Sequence, residues 1–241
     1  MTPADVPQKP AARGPALRDG LILAATVGVV GVVFGVLART SGLSLAKTCA
    51  MSLLVFTGAS QFAAASVING GGSSVAALGP ALLLASRNAL YGPVVARFFD
   101  DDSVPRRLAL AHVVIDESTG VGAAQSERSE QRIGFLSSGI GIYVFWNLGT
   151  LLGATVGDFI GNLEQWGLDA AFPAVYVALL APHLASHPGR VSALIAAAIA
   201  LATVPVLPIG IPILISTVGA AAGAIVAHRS DLVVTSAQDS P

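Results

Sequence analysis

The sequence predicts an all-α polytopic membrane protein, a bundle of about seven or eight transmembrane helices, of which some are broken. Three observations support this class. Of the 241 residues, 54% are hydrophobic and only 11% are charged, whereas a typical soluble domain carries about 25% charged residues. The mean hydropathy is +0.74. The apolar residues also fall into separate runs of membrane-spanning length.

The apolar runs follow one another along the chain. A helix needs about 20 apolar residues to cross a bilayer, and three runs approach that length, at residues 21–38, 48–68 and 75–96. Weaker or shorter runs follow at residues 108–124, 133–153, 170–185, 191–207 and 208–227. The count stays at seven or eight, because the fourth run contains His112, Asp116 and Glu117 and only a short turn separates the last two runs.

These runs define one transmembrane domain, which we expect at residues 18–228. A polar N-terminal tail at residues 1–17, expected to be disordered, precedes it, and a polar C-terminal tail at residues 229–241 follows it. With eight spans and a cytoplasmic start, seven Lys and Arg residues fall in inside loops and five in outside loops. Because cytoplasmic loops carry an excess of these residues, we expect a cytoplasmic N-terminus. Losing one span would reverse every later loop.

Helix-breaking residues surround the third run. Residues 69–74 read Asn-Gly-Gly-Gly-Ser-Ser, a flexible connection, and Pro80 follows inside the run, where proline removes a backbone donor. Broken backbone at membrane depth is tolerated when it is buried in protein or lines a cavity, and carriers use it to bind substrates. An ordinary loop followed by a mild kink explains the pattern equally well.

Glycines recur at every fourth position in several runs. The repeats are Gly31 with Gly35, Gly219 with Gly223, and the series Gly149, Gly153, Gly157 and Gly161. Such smooth faces let helix backbones approach closely. We therefore expect these glycines to pack helices together, and part of such a face could receive another subunit.

Polar side chains inside the apolar runs are the candidate functional residues. The strongest is Arg87, near the middle of residues 75–96. A charge at mid-bilayer costs roughly 2.5 to 3.5 kcal/mol, so it normally faces a protein interior or a water-filled cavity. Tyr91 lies four residues later, on the same helical face.

Further candidates lie in the neighbouring runs. In the second run, Gly58 and Gln61 share a helical face at a spacing of three. In the fourth run, His112 and Asp116 share a face, and Glu117 points about 100° away. The remaining candidates are Ser60, Asn88 and Asp169.

A structural role is an equally good interpretation of the charged residues. Arg87 could pair with Asp116 or Glu117 to satisfy charges inside the bundle, and breaking such a pair would harm folding. Asp169 opens the sixth run, where an aspartate is more often a helix cap that stabilises free amides.

Other chemistry has little support. Asp100, Asp101 and Asp102 are adjacent on a loop and are expected to be solvated charge. His183 and His187 have the spacing of helical metal ligands, but Pro188 follows and no HExxH glutamate intervenes. The chain has no phosphate-binding glycine loop, no GxSxG and no CxxC. Because these motifs are missing, we expect no enzyme activity, metal or cofactor, and the net charge of −1 gives no indication of a nucleic-acid partner.

Four motifs together resemble AzlC-type proteins. They are Phe-Thr-Gly-Ala-Ser-Gln-Phe at residues 56–62, Arg-Asn-Ala-Leu-Tyr-Gly at residues 87–92, Asp116-Glu117, and Leu-Asp-Ala-Ala-Phe-Pro at residues 168–173. The similarity covers about residues 16–228. In one departure, Ala85 stands where that family commonly has an asparagine two positions before the arginine, and Asn88 follows Arg87.

The resemblance implies the large subunit of a branched-chain amino acid exporter in the bacterial inner membrane. Such a subunit works with a small AzlD-type membrane protein to expel leucine, isoleucine, valine and sometimes methionine. The alternatives are a transporter of another small zwitterion or an organic anion, and a passive channel or scaffold subunit.

The candidate residues are compatible with an amino acid substrate, whose two charges each need a partner in a low-dielectric site. Arg87 can hold a carboxylate through two parallel donors. Asp116 or Glu117 can meet the ammonium group, or carry a proton that couples export to the proton gradient by antiport. Gly58 and the kinked third run leave room for a branched side chain. The predicted substrate site consists of Gly58, Ser60, Gln61, Arg87, Asn88 and Tyr91, and the predicted coupling or ion-pair residues are Asp116, Glu117 and Asp169.

Overall fold

The computed structural model describes residues 13–160 and 180–238, together with residues 174 and 177. Every regular element in this part of the chain is helical, which confirms the predicted all-α class. Three helical stretches among the described residues are long and apolar enough to cross a membrane, at Pro15–Thr40, Arg128–Gly157 and Ile211–His228. The chain separates into two compact units.

The first unit comprises Met1–Val36, Ser44–Gly58 and Ala85–Val156, and its framework is a pair of long helices. Helix α1 spans Arg13–Thr40 and α8 spans Arg128–Ile160. A Cβ atom added at Gly31 would lie 2.8 Å from the Trp146 carbonyl oxygen, and one at Gly153 would collide with the Val32 backbone. These contacts confirm the packing interpretation for Gly31 and Gly153, whereas Gly161 of the same series lies outside the described residues.

Short helices replace the second, third and fourth apolar runs. They are α2 (Leu45–Val55), α3 (Gly58–Asn69), α4 (Ser74–Ser86), α5 (Asn88–Ala96), α6 (Val104–Ala111) and α7 (Asp116–Ala123). The longest has 13 residues, which at about 1.5 Å per residue falls short of a hydrocarbon core of about 30 Å. The breaks fall after α2, at Arg87, and between α6 and α7.

The fourth run was expected to form one span and instead forms two helices of eight residues each. Ile115 adopts an extended conformation. Its backbone N–H donates to the Ser118 hydroxyl at 3.1 Å, and that hydroxyl donates to the Val113 carbonyl at 2.7 Å. The Ser118 side chain thus satisfies backbone groups that a continuous helix would pair internally. For the same reason His112 and Asp116 do not share a helical face, contrary to the sequence prediction.

The second unit comprises Leu37–Leu43, Ala59–Leu84 and Gly157–Pro241. Its described C-terminal part contains a 3-10 helix at Ala181–Ala185, then α9 (His187–Thr203), α10 (Ile211–Ser216) and α11 (Val218–Gln238). Helices α9 and α11 pack together. A Cβ atom at Gly219 would lie 2.6 Å from the Ser192 carbonyl oxygen, so this glycine repeat also serves close packing.

Several helix limits differ from the predicted runs. Helix α1 begins at Arg13, before the run at residues 21–38, and α11 continues to Gln238. Much of the predicted sixth run, with Asp169 just before it, lies outside the described residues. The domain limits at residues 18 and 228 remain a prediction.

Candidate functional site

A cavity of about 410 Å³ lies in the first unit, where three helix breaks meet. Its size falls within the range of about 300 to 1,000 Å³ that is common for small-ligand sites. The break after α2, the kink at Arg87 and the break between α6 and α7 supply its walls, which consist of Val55, Phe56, Thr57, Ala85, Asn88, Ala89, Gly92, Ala111, His112 and Val114. Irregular backbone is therefore concentrated around one cavity.

The kink at Arg87 brings two of the predicted residues together. The Arg87 Nη2 atom lies 3.1 Å from Asp116 Oδ1, and the two side chains are 35% and 42% exposed. Asp116 is the first residue of α7, where the helix dipole favours a negative charge. Glu117 follows in the same turn and is half-buried. The structure therefore contains the internal ion pair that the sequence allowed.

The Arg87 guanidinium retains binding capacity beside this pair. An arginine side chain carries five N–H donors, and Asp116 Oδ1 accepts a hydrogen bond from one of the Arg87 nitrogens, Nη2. The Nε atom is buried without a hydrogen-bond partner among the described residues. Arg87 itself does not line the cavity, but Ala85 and Asn88, close to it on either side, do.

Two side-chain oxygens in the cavity wall lack partners. Thr57 is 5% exposed, and its Oγ1 atom has no hydrogen bond to any described residue. The same holds for the Oδ1 atom of Asn88. Both residues line the cavity, so two buried oxygens with unsatisfied hydrogen-bonding capacity belong to residues of its wall.

His112 is a cavity residue that the sequence analysis did not assign to the site. Its Nε2 atom lies 2.9 Å from the Leu53 carbonyl oxygen, which has no donor four residues on within α2 because that helix ends at Val55. The ring stacks on Phe56 with centroids 6.0 Å apart and meets Tyr143 edge-on at 5.3 Å. A histidine inside an apolar run was the signal that could have identified it.

Proline shapes the cavity wall on α5. Pro93 lies inside this nine-residue helix and has no N–H to donate to the Ala89 carbonyl, four residues earlier. Ala89 lines the cavity. Gly92 also lines it, and a Cβ atom added there would meet nothing within 4 Å. A second cavity of about 320 Å³, with Arg107 in its wall, shares Gly92, Ala111 and Val114 with the first.

The other predicted site residues have different surroundings. A Cβ atom at Gly58 would lie 2.9 Å from the Trp146 ring, so Trp146 fills the room that was expected for a substrate side chain. Tyr91 is half-buried on α5. In the second unit, the Ser60 hydroxyl donates to the Ala81 carbonyl at 2.7 Å, and Gln61 is fully buried. Asp169 lies outside the described residues.

The three loop aspartates form an ion-pair network instead of standing as separate solvated charges. Asp101 accepts from Arg128 at 3.0 Å and also pairs with Arg132. Asp102 lies 3.3 Å from Arg106. The Asp101 side chain is 63% exposed, so this network lies at the surface of the first unit.

Comparisons with known proteins agree with the sequence resemblance. The family model described as AzlC protein matches residues 23–160. An uncharacterized membrane protein of Archaeoglobus fulgidus is 30% identical over 181 residues, which cover 72% of this chain and 76% of that protein. No solved structure matches the chain. Since the family model spans more than half of the 241 residues, the chain belongs to the AzlC family of transporter-type membrane proteins.

Proposed function

We propose that this chain is the large permease subunit of a secondary exporter of branched-chain amino acids. The exporter expels leucine, isoleucine and valine, with methionine as a further substrate, across a bacterial inner membrane. A small AzlD-type membrane subunit completes it, and the N-terminus lies in the cytoplasm. The observation that carries the proposal is the cavity at the three helix breaks, which lies within the region matched by the family model.

The cavity wall suits a branched aliphatic side chain. Val55, Phe56, Ala89 and Val114 give it an apolar surface, and each buried methylene group contributes about 0.8 kcal/mol. Such a wall discriminates between side chains by roughly 1 to 3 kcal/mol per methylene. It therefore favours leucine over alanine without any contact that is specific to leucine.

Arg87 is the proposed partner of the substrate carboxylate. A guanidinium holds a carboxylate through two parallel N–H donors, and Asp116 leaves other donors of Arg87 available. Asn88 and Tyr91 follow Arg87 on α5 and complete this side of the proposed site. Asp116 keeps the guanidinium compensated when no substrate is bound.

Proton antiport is the proposed driving force, with Glu117 as the proton carrier and Asp116 and Asp169 as further candidates. A substrate ammonium group and a proton both add positive charge near the first turn of α7. Each disfavours the other, because a nearby positive charge stabilises the ionised form of a carboxyl group. Proton binding on one side and substrate binding on the other therefore alternate.

Counterflow tests the transport proposal. The chain and its small partner are reconstituted in vesicles preloaded with labelled leucine, and different amino acids are added outside. External leucine, isoleucine and valine are expected to accelerate the exit of label, whereas aspartate and lysine are not. A release of label that no external amino acid accelerates would contradict a carrier and favour a passive channel.

An imposed pH gradient tests the coupling. With the external side acidic, leucine efflux is expected to rise above its rate at equal pH, because protons then flow inward in exchange. The same vesicles treated with a protonophore are the control and should lose the increase. Efflux that is indifferent to the gradient would remove proton antiport while leaving counterflow intact.

A further inference from the structure

We infer that the substrate ammonium group is held by neutral oxygen atoms, Thr57 Oγ1 and Asn88 Oδ1, and not by the carboxylates of Asp116 and Glu117. This inference rests on the proposed function, and it names the chemical group that the cavity recognises. It assigns a primary amine with an apolar tail as the ligand class.

The first argument is the position of the unsatisfied atoms. A buried polar atom without a partner costs roughly 1 to 3 kcal/mol, so each case in a folded protein calls for an explanation. Thr48 and Thr119 also have unpartnered hydroxyls among the described residues, but neither lines the cavity. Among the described residues with an unpartnered buried atom, Thr57 and Asn88 are the two that line this cavity.

The second argument is the chemistry of the two atoms. An amide Oδ1 atom only accepts hydrogen bonds, and a threonine hydroxyl can accept while it donates elsewhere. A primary ammonium carries three N–H donors, so it can satisfy both oxygens at once. Two side-chain oxygens are too few for a hard metal ion, which takes about six or more oxygen ligands.

The third argument is the electrostatic environment. Helix α2 ends at Val55, in the cavity wall, and a helix C-terminus carries the equivalent of about half a negative charge. The His112 Nε2 atom lies 2.9 Å from the Leu53 carbonyl oxygen of this last turn. The wall contains no Lys, Arg, Asp or Glu among its described residues. The electrostatic contribution of the wall itself therefore comes from the helix dipole, which favours a cation.

The inference gives neighbouring groups separate roles. Thr57 and Asn88 orient the ammonium group. Asp116 then neutralises the charge of Arg87, and Glu117 is free to exchange a proton. Binding by two neutral oxygens depends on how many N–H groups the ligand can donate. The site should therefore bind N-methylated amines more weakly, because each methyl group replaces one N–H donor.

The experiment compares three ligands of the purified complex by thermal shift or calorimetry. Leucine carries both charged groups, 3-methylbutylamine lacks the carboxylate, and 4-methylpentanoate lacks the amine. In Thr57→Val the affinity for leucine and for 3-methylbutylamine should fall roughly tenfold or more, as expected for a hydrogen bond to a charged group. The affinity for 4-methylpentanoate should stay at the wild-type value.

Two matched variants complete the experiment. Thr57→Ser keeps the hydroxyl and should bind the amine as the wild type does. Thr48→Val removes another buried, unpartnered hydroxyl and should change none of the three affinities. Equal losses for amine and acid in Thr57→Val, unchanged amine binding in both Thr57→Val and Asn88→Leu, or a wild type that binds no primary amine would each overturn the inference.

The results separate this inference from the proposed function. Leucine counterflow that persists unchanged in Thr57→Val would reject the ammonium site and leave the exporter proposal standing. Amine binding that depends on Thr57, in a protein without leucine counterflow, would reject the exporter proposal and support an amine site for another substrate.

Discussion

The long helices α1 and α8 and the short helices around the cavity belong to the same unit, but they differ in the continuity of their backbones. The long pair runs without a break for 28 and 33 residues and makes contact through glycines that leave no room for a side chain. The short helices of this unit, α2, α5, α6 and α7, end after eight to 11 residues. Among the described residues, Thr57 Oγ1 and Asn88 Oδ1 are buried without a hydrogen-bond partner. Close helix packing and the open cavity thus lie in separate parts of one unit.

The largest expected effect comes from disturbing the long pair. In Gly153→Ala the new methyl group would collide with the Val32 backbone, and backbone cannot move aside as a side chain can. We expect a loss of about 3 kcal/mol or more of unfolding free energy, at the upper end for overpacked sites. The yield and melting temperature of the monodisperse complex in detergent measure it.

Gly120→Ala is the matched control for that substitution. A Cβ atom at Gly120 meets nothing within 4 Å, and alanine is favoured over glycine in a helix by up to about 1 kcal/mol. This variant should melt at or above the wild-type temperature. A Gly153→Ala protein that melts with the wild type would mean that α1 and α8 do not contribute the stability assigned to them.

Filling the cavity should abolish transport while leaving the fold intact. Gly92→Phe places a ring where a Cβ atom has open space and where the two cavities share their wall. We expect leucine counterflow to fall at least tenfold with little change in melting temperature. Gly92→Ala is the control and should keep most of the activity. Normal counterflow in Gly92→Phe would show that substrate takes another route.

Separating Arg87 from Asp116 should give an intermediate effect on stability and a large one on transport. The pair is partly exposed, so its rupture in Arg87→Gln or Asp116→Asn should cost about 1 kcal/mol, between exposed and buried pairs. The double variant should cost less than the sum of the two. Counterflow should remain absent in the double variant, and its recovery there would assign Arg87 a purely structural role.

The smallest effect is expected in the surface network. Asp101→Asn removes contacts to Arg128 and Arg132 from a side chain that is 63% exposed. We expect a loss of no more than about 1 kcal/mol that shrinks as salt is added, with unchanged counterflow. Melting temperatures at low and high salt measure it. A loss of counterflow would extend the functional region to this loop.

The sequence predicted the helical class, because runs of apolar residues are a local property, whereas the role of Arg87 in substrate binding stays a prediction. It also allowed the ion pair, since opposite charges in a low-dielectric interior must compensate each other. The choice between Asp116 and Glu117 depends on where α7 begins, and that start is set by the Ser118 side chain. The spacing of apolar and polar residues along the sequence does not predict such a hydrogen bond.

The cavity residues were harder to predict. The break at Thr57 has only a threonine followed by a glycine as its signal, which occurs in many continuous helices. Gly58 was expected to leave room for substrate, but Trp146, 88 positions later in the chain, occupies that room. Which side chain fills a space is a tertiary property, so spacing along one helix cannot reveal it.

Pro93 has one more consequence under the carrier function proposed above. Bending a regular helix breaks backbone hydrogen bonds at the bend, but Pro93 cannot form the hydrogen bond to the carbonyl of residue 89 in any case. The last turn of α5 can therefore tilt about this point without losing that hydrogen bond. A hinge built into the wall of the cavity would let the same solute face first one side of the bilayer and then the other.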